Sequence, residues 1–191
     1  RGGLIANNEG RCGDTEDTIS LYRSSHVIVA ANYLEGTFES SPDCLSWSSP
    51  SGTAINVNDG GGTGNVVRGN TLVNAHRIGI GVAGGTDTLV ANNFVYSARR
   101  EEPDTVIGIA VENYSSTPCE GIRVVDNRVR WTNSHGGAAP LWADGGCHTA
   151  SDRRSQRNDR TLNPASLLAA FRASTGLGSA TVDLDFGPGG W

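Results

Sequence analysis

The sequence predicts an all-β solenoid, and three observations predict it. The stretch 78–129 holds two copies of one pattern: a small-residue strand (Ile80-Gly81-Val82, then Ile109-Ala110-Val111), a polar turn, and a second strand (89–93, then 122–127) ending in Asn93 and Asn127. The same two-part unit stands twice more upstream, as Ile19-Ser20-Leu21 with His26-Val27-Ile28-Val29 running to Asn32, and as Ile55-Asn56-Val57 with Asn65-Val66-Val67 running to Asn70. Apolar residues at helical spacing are absent until Pro164. Short alternating strands separated by Gly, Asn, Asp and Ser cannot bury their apolar face alone. They must stack on neighbouring copies.

The asparagines that close the units, Asn8, Asn32, Asn70, Asn93 and Asn127, lie 24, 38, 23 and 34 residues apart. The short gaps set the period; the long ones carry inserts that contain Cys44 and Cys119. Read as Gly-Ile-x-Val followed by Val-x-x-Asn-x-Val, the units resemble the coils of the right-handed parallel β-helix of the pectate-lyase-like superfamily. The resemblance covers residues 4–131. It implies that Ile19/Leu21, Ile55/Val57, Ile80/Val82 and Ile109/Val111 point into the lumen in ladders while alternate residues point outward. It also implies that the marker asparagines sit where each coil turns, in backbone that tolerates a left-handed residue, and hydrogen-bond to one another.

Taken in order, Leu4-Ile5-Ala6-Asn7-Asn8 is a partial copy and 18–34 the first full unit. An acidic turn with Asp14, Glu16 and Asp17 between them offers a calcium loop without the EF-hand order, or simply a solvated turn. The Ser- and Pro-rich insert 35–52, with Trp47, is an excursion against the coil wall. Two units follow over 53–100, then the charged turn 101–104 and the fourth unit. The coil is expected to end at Trp131. Beyond it, 132–191 reads as an irregular arm with a short capping helix over 164–174 and a final strand over 181–186. Asn163 caps that helix, Pro164 occupies its first position, and Leu167, Leu168 and Phe171 give it one apolar face fit to close the downstream end of the coil.

The chain has 191 residues and 37% hydrophobic content with 6% aromatic, too lean for a broad globular core but suited to a narrow one of Val, Ile and Leu. Net charge is −5 and lysine is absent. Arg153, Arg154, Arg157 and Arg160, interrupted by Asp152 and Asp159, are the one basic concentration, so nucleic acid is not an expected partner. No apolar run approaches the roughly 18 residues of a membrane span. The chain lacks Met and opens on a repeat, as a processed or truncated product does, so upstream chain or another subunit is expected to cover the first coil. Four cysteines allow three pairings; Cys12 with Cys44 and Cys119 with Cys147 is favoured, each tying a loop to an adjacent coil. An even count in a Ser-, Thr- and Asn-rich chain suggests an oxidising, extracellular or periplasmic compartment, with free thiols in the cytosol as the alternative.

Stacked outer strands make a flat face on which a polymer can lie. The outward rows expected here are Thr18/Ala54/Gly79/Gly108 and Ser20/Asn56/Gly81/Ala110, flanked by Tyr22/Asn58/Ala83/Glu112 and Arg23/Asp59/Gly84/Asn113. Small side chains suit a floor for sugar rings, or equally a docking surface for the C-terminal arm. A polysaccharide lyase would use Arg77 or Arg99 to neutralise a uronate and His76 or Tyr22 as base. A hydrolase would use two carboxylates across a cleft, Asp59 and Glu112. Asn58, Asn113, Tyr22 and Arg99 are the expected substrate-binding groups. The resemblance brings calcium-dependent pectate lyases to mind, with carboxylates on successive coils and an arginine base; here Ala83 and Gly84 interrupt those rows. No cofactor is required by this reading, with calcium as an option at Asp14, Glu16 and Asp17. The sequence therefore supports a secreted protein that binds or cleaves an acidic polysaccharide, the alternative being a non-catalytic structural or adhesion module of a larger extracellular protein.

Overall fold

In the computed structural model of the chain, the described residues are 3–6, 9–14, 17–38, 52–75, 77–98, 106–114 and 116–175, with backbone alone described at 3–4, 6, 9–14 and 37–38. Eighteen strands and one helix follow in order: β1 (Gly3–Ala6), β2 (Glu9–Asp14), β3 (Asp17–Tyr22), β4 (Val27–Ala30), β5 (Tyr33–Phe38), β6 (Thr53–Asp59), β7 (Val66–Arg68), β8 (Thr71–Val73), β9 (Ile78–Val82), β10 (Gly85–Thr86), β11 (Leu89–Ala91), β12 (Phe94–Ser97), β13 (Ile107–Val111), β14 (Cys119–Glu120), β15 (Ile122–Val125), β16 (Arg128–Trp131), β17 (Leu141–Ala143), β18 (Thr149–Ser151) and α1 (Pro164–Thr175). They form three parallel sheets, β1-β4-β7-β11-β15-β18, β2-β5-β8-β12-β16 and β3-β6-β9-β13-β17, with β10 and β14 as a short strip in the turns. The chain visits the three sheets in rotation. Each return to a sheet adds one parallel strand beside the last, so the other two strands serve as the crossover that parallel pairing demands.

The core is a set of in-register ladders. Ile55, Ile80 and Ile109 stack in the third sheet, Val29, Val67, Val90 and Val124 in the first, and Leu34, Leu72, Val95 and Val129 in the second. All are buried, as is Trp131 at the second-to-third corner. Alternation of strand side chains sends these inward and their neighbours out. One expected outward row does not follow this rule. Ala54 is only 1% exposed and belongs to the core. A Cβ on Gly79 would meet Val95 and one on Gly108 would meet Val129. The Thr18/Ala54/Gly79/Gly108 row therefore begins each strand at the corner, where the described members of the later coils face inward. They are small because Val95, Val129 and Trp131 already fill that space.

The turn from first to second sheet has two residues. The first is left-handed: Ala31 (φ 52), Gly69 (φ 64), Asn92 (φ 56) and Asp126 (φ 57). The second is the marker asparagine. The left-handed backbone thus falls on the residue before each asparagine, not on the asparagine itself, which leaves its side chain to point inward along the stack. Asn32 Nδ2 donates to Asn70 Oδ1 at 2.9 Å, Asn70 Nδ2 to Asn93 Oδ1 at 3.0 Å, and Asn93 Nδ2 to Asn127 Oδ1 at 2.9 Å. Asn70, Asn93 and Asn127 also accept the backbone N–H of the previous coil's asparagine, and each of the four donates to a carbonyl of that coil: Ile5 for Asn32, Val29 for Asn70, Val67 for Asn93, Val90 for Asn127. Ser155 ends the row, its Oγ accepting from Asn127 N and Nδ2. Asn8 lies outside the described residues.

The coil does not stop at Trp131. β17 pairs with β13 and β18 with β15, so the segment expected to be irregular continues the third and first sheets. Both strands have only three residues, Leu141-Trp142-Ala143 and Thr149-Ala150-Ser151, and each pairs on one side only. Cys119 and Cys147 are disulfide-bonded and join the turns of successive coils. Cys44 lies outside the described residues, and so does the strand expected at 181–186. The second sheet then ends on a side chain: Asn158 Oδ1 accepts from Trp131 N at 2.8 Å and its Nδ2 donates to Trp131 O at 2.9 Å, standing in for a further strand.

From there the chain turns back over the second sheet. Asn163 Oδ1 accepts from Ala165 N and caps α1 as expected. α1 does not close the downstream end; it lies on the outer face of the second sheet, where Leu162, Leu167 and Phe171 pack with Tyr33, Val73 and Tyr96. This face presents the aromatic residues Tyr33, Phe94 and Tyr96 that receive it. Arg128 fastens the approach, donating from Nε to Asp159 Oδ2 at 2.7 Å. Burial raises the Asp159 pKa, but hydrogen bonds from Thr161 and Arg128 outweigh it and bring it down to about 2. Asp152 is lowered too, burial being outweighed by the Ser155 and Asp126 backbone N–H groups. Among the described residues no helix is long and apolar enough to cross a membrane.

Two outcomes test this account. Asn93→Ala strips partners from the buried Asn70 N–H and Val67 carbonyl and should cost about 3 kcal/mol, a fall in Tm of about 6–12 °C by thermal denaturation. Asn92→Gly, at the exposed left-handed position, should leave Tm unchanged or higher. Separately, a depressed carboxylate stabilises above its unfolded pKa and loses that contribution as pH falls through its folded value. Asp159→Asn should therefore be less stable than the parent at neutral pH, with the gap closing between about pH 4 and pH 2 in an acid titration followed by circular dichroism. A gap that does not change with pH would discount the Arg128 pair.

Candidate functional site

The outer face of the third sheet stays open among the described residues, and a groove of about 520 Å³ runs across it. Its floor is set by register. Ser20, Asn56, Gly81, Ala110 and Trp142 lie side by side across five strands. The first four match the small row expected from the sequence. Asn56 leans over its neighbour: a Cβ on Gly81 would sit 3.1 Å from Asn56 Oδ1. A second outward row at the strand starts is Asp17, Thr53, Ile78 and Ile107.

At the other end of the strands a register shift between Leu21 and Tyr22 rearranges the expected rows. Asp59, not Asn58, stands opposite Tyr22. Asn58 adopts a left-handed backbone (φ 65), is fully buried, and donates from Nδ2 to Gly84 O at 2.6 Å and Thr88 Oγ1 at 2.9 Å while accepting from Asn65 Nδ2. It is thus a turn brace and not a substrate contact. The shift brings the Asp59 side chain to the groove, beside Ala83 and Glu112.

Arg77, at the head of β9, lines the same groove, as do Asp17 and Tyr114. Of the expected catalytic set, Asp59, Glu112 and Arg77 are brought together; His76 and Arg99 lie outside the described residues. Asn113 lies one residue behind Glu112; its Oδ1 is buried without a hydrogen-bond partner, 3.3 Å from where a Gly84 Cβ would be. Tyr22 is exposed at the rim, with the Arg23 guanidinium 5.1 Å from its ring centre.

The candidate calcium loop can be followed only in part. Asp17 spends its carboxylate on the floor, Oδ1 accepting from Thr53 N and Oδ2 from Asn56 Nδ2, each at 3.1 Å. The Asp14 side chain and Glu16 lie outside the described residues. Among those described, no three His, Cys, Asp or Glu groups gather in a metal-binding cluster.

Two aromatic residues went unnoticed in the sequence. Trp142 is 47% exposed in the outward row beside Ala110 and Tyr114 is 78% exposed on the groove's flank. With the coil expected to end at Trp131, Trp142 has no row to join, and Tyr114 follows the repeat unit. The one signal for Trp142 is the short apolar run Leu141-Trp142-Ala143, too brief to mark a strand. No family model, no curated protein and no solved structure matches the chain.

Proposed function

We propose that the chain is a right-handed parallel β-helix of the pectate-lyase-like kind, and that it binds and hydrolyses a polysaccharide in the groove on its third sheet. The right hand is favoured because parallel strands joined by a crossover in one sheet take it in nearly all known cases. The observation that carries the function is the convergence of Asp59 and Glu112, with Arg77, on one open groove floored by small residues.

Asp59 ends β6 and Glu112 follows β13, with β9 between them. Two inter-strand steps of about 4.8 Å put their backbones about 10 Å apart. That suits the separation of about 6.5–9.5 Å used by inverting glycosidases, which leaves room for a water, better than the roughly 5 Å of retaining ones. Asp59, half-buried and opposite Tyr22, takes the acid role toward the leaving oxygen. Glu112, exposed to solvent, takes the base role toward the water. Arg77 orients the chain beside them. The disulfide between Cys119 and Cys147 supports an extracellular or periplasmic location.

The test is turnover of a polysaccharide panel, with new reducing ends and unsaturated-product absorbance read together. Reducing ends should form without absorbance, and Asp59→Asn and Glu112→Gln should each lower the rate by about 10²–10⁴ at unchanged fold. Absorbance that disappears in His76→Ala would replace hydrolysis by elimination. Silence across the panel from a folded sample would leave the structural or adhesion module.

A further inference from the structure

The charge of the groove opposes an acidic ligand. Its described lining holds three carboxylates, Asp17, Asp59 and Glu112, against one guanidinium, Arg77. The chain as a whole carries −5. A polyuronate brings a carboxylate on every ring. Laid across this floor it would place several of them within a Debye length of about 8 Å of fixed negative charge, where like charges repel.

The apolar groups point the other way. Tyr22, Tyr114 and Trp142 are three of the four large hydrophobic side chains exposed among the described residues, and all three belong to this sheet or its rim. Isolated exposed aromatics are ordinary, but here all three lie on one open sheet: Tyr114 lines the groove, Trp142 stands beside Ala110 on β17, and Tyr22 ends β3 at the opposite edge. A pyranose ring has a C–H face that stacks on an aromatic ring while its hydroxyls reach water and carboxylates, and Tyr and Trp suit a surface that is apolar in the middle and wet at the edge. Trp142 stands in register with Ala110 and continues the row from Ser20. Four strand spacings of about 4.8 Å make that row about 19 Å long, so it accommodates several rings laid across the strands.

We propose that the groove takes a glycan without negative charge, stacked on Trp142 and Tyr114 with Asp59 and Glu112 accepting from its hydroxyls. This rests on the reading of the groove as a polysaccharide site and replaces the acidic substrate expected from the sequence.

The experiment is calorimetric titration of the intact chain with neutral gluco-, xylo-, manno- and galacto-hexaoses, a glucosamine hexamer and hexagalacturonate, at low and high salt. At least one neutral or amino hexamer should bind, and hexagalacturonate should bind at least ten-fold more weakly, with the gap widest at low salt. Trp142→Ala, at an exposed position, should weaken the bound hexamer about ten-fold at unchanged circular dichroism. Glu112→Gln should narrow the gap to hexagalacturonate. Hexagalacturonate bound as tightly as the best neutral hexamer would overturn the substrate class and leave the polysaccharide reading standing. Full affinity in Trp142→Ala would remove the stacking platform. Binding of no hexamer at all would overturn both readings together.

Discussion

The rest of the structure depends on one column of amide side chains. Where the chain turns from one parallel sheet to the next, backbone groups lose their strand partners, and a buried N–H or carbonyl without a partner is costly. Asn32, Asn70, Asn93 and Asn127 resolve this by joining each turn to the next through donors and acceptors on the same side chain. An asparagine fits because its amide offers both functions on a short stem. The column also forces register: if one coil slipped by a residue, its asparagine would leave the stack and its lumen residues would face water. The in-register ladders of Ile, Leu and Val follow from that constraint as much as from their own packing.

Register in turn places the functional residues. With the first-to-second turn held at two residues, variation is pushed into the other two turns. One consequence is the bulge at Asn58, where the chain gains a residue relative to β3 and the buried amide secures Gly84 and Thr88. The gain rotates Asp59 to the outer face. The groove therefore owes one of its two central carboxylates to a structural amide beside it.

The outer faces of the second and third sheets meet different fates because their surfaces differ. The second sheet exposes aromatic side chains and is covered by α1, with cationic groups of Arg128 and Arg130 laid on Phe94 and Tyr96. The third sheet exposes small and acidic groups along its floor, with aromatics only at its edges and flank, and stays open among the described residues. Asn158 separates the two outcomes by ending the second sheet on a side chain and turning the chain outward over it.

By itself the sequence determined what repetition and alternation encode. The stacked units, the inward Ile, Leu and Val, the column of asparagines from Asn32 on and the cap at Asn163 were all legible, because each is a local pattern or recurs in several copies; the pairing of Cys119 with Cys147 was one of three that the sequence allowed. The tertiary structure alone decided what depends on neighbours in space. Ala54, Gly79 and Gly108 turned inward because Val95, Val129 and Trp131 occupy the adjoining corner. Asn58 and Asp59 exchanged places because a bulge shifts pairing by one residue, which no alignment of repeats by length can reveal. β17 and β18 joined the coil despite weak patterns because a sheet already waiting supplied their partners. Trp142 joined the outward row beside Ala110 for the same reason: its place was set by the strand beside it and not by its own sequence.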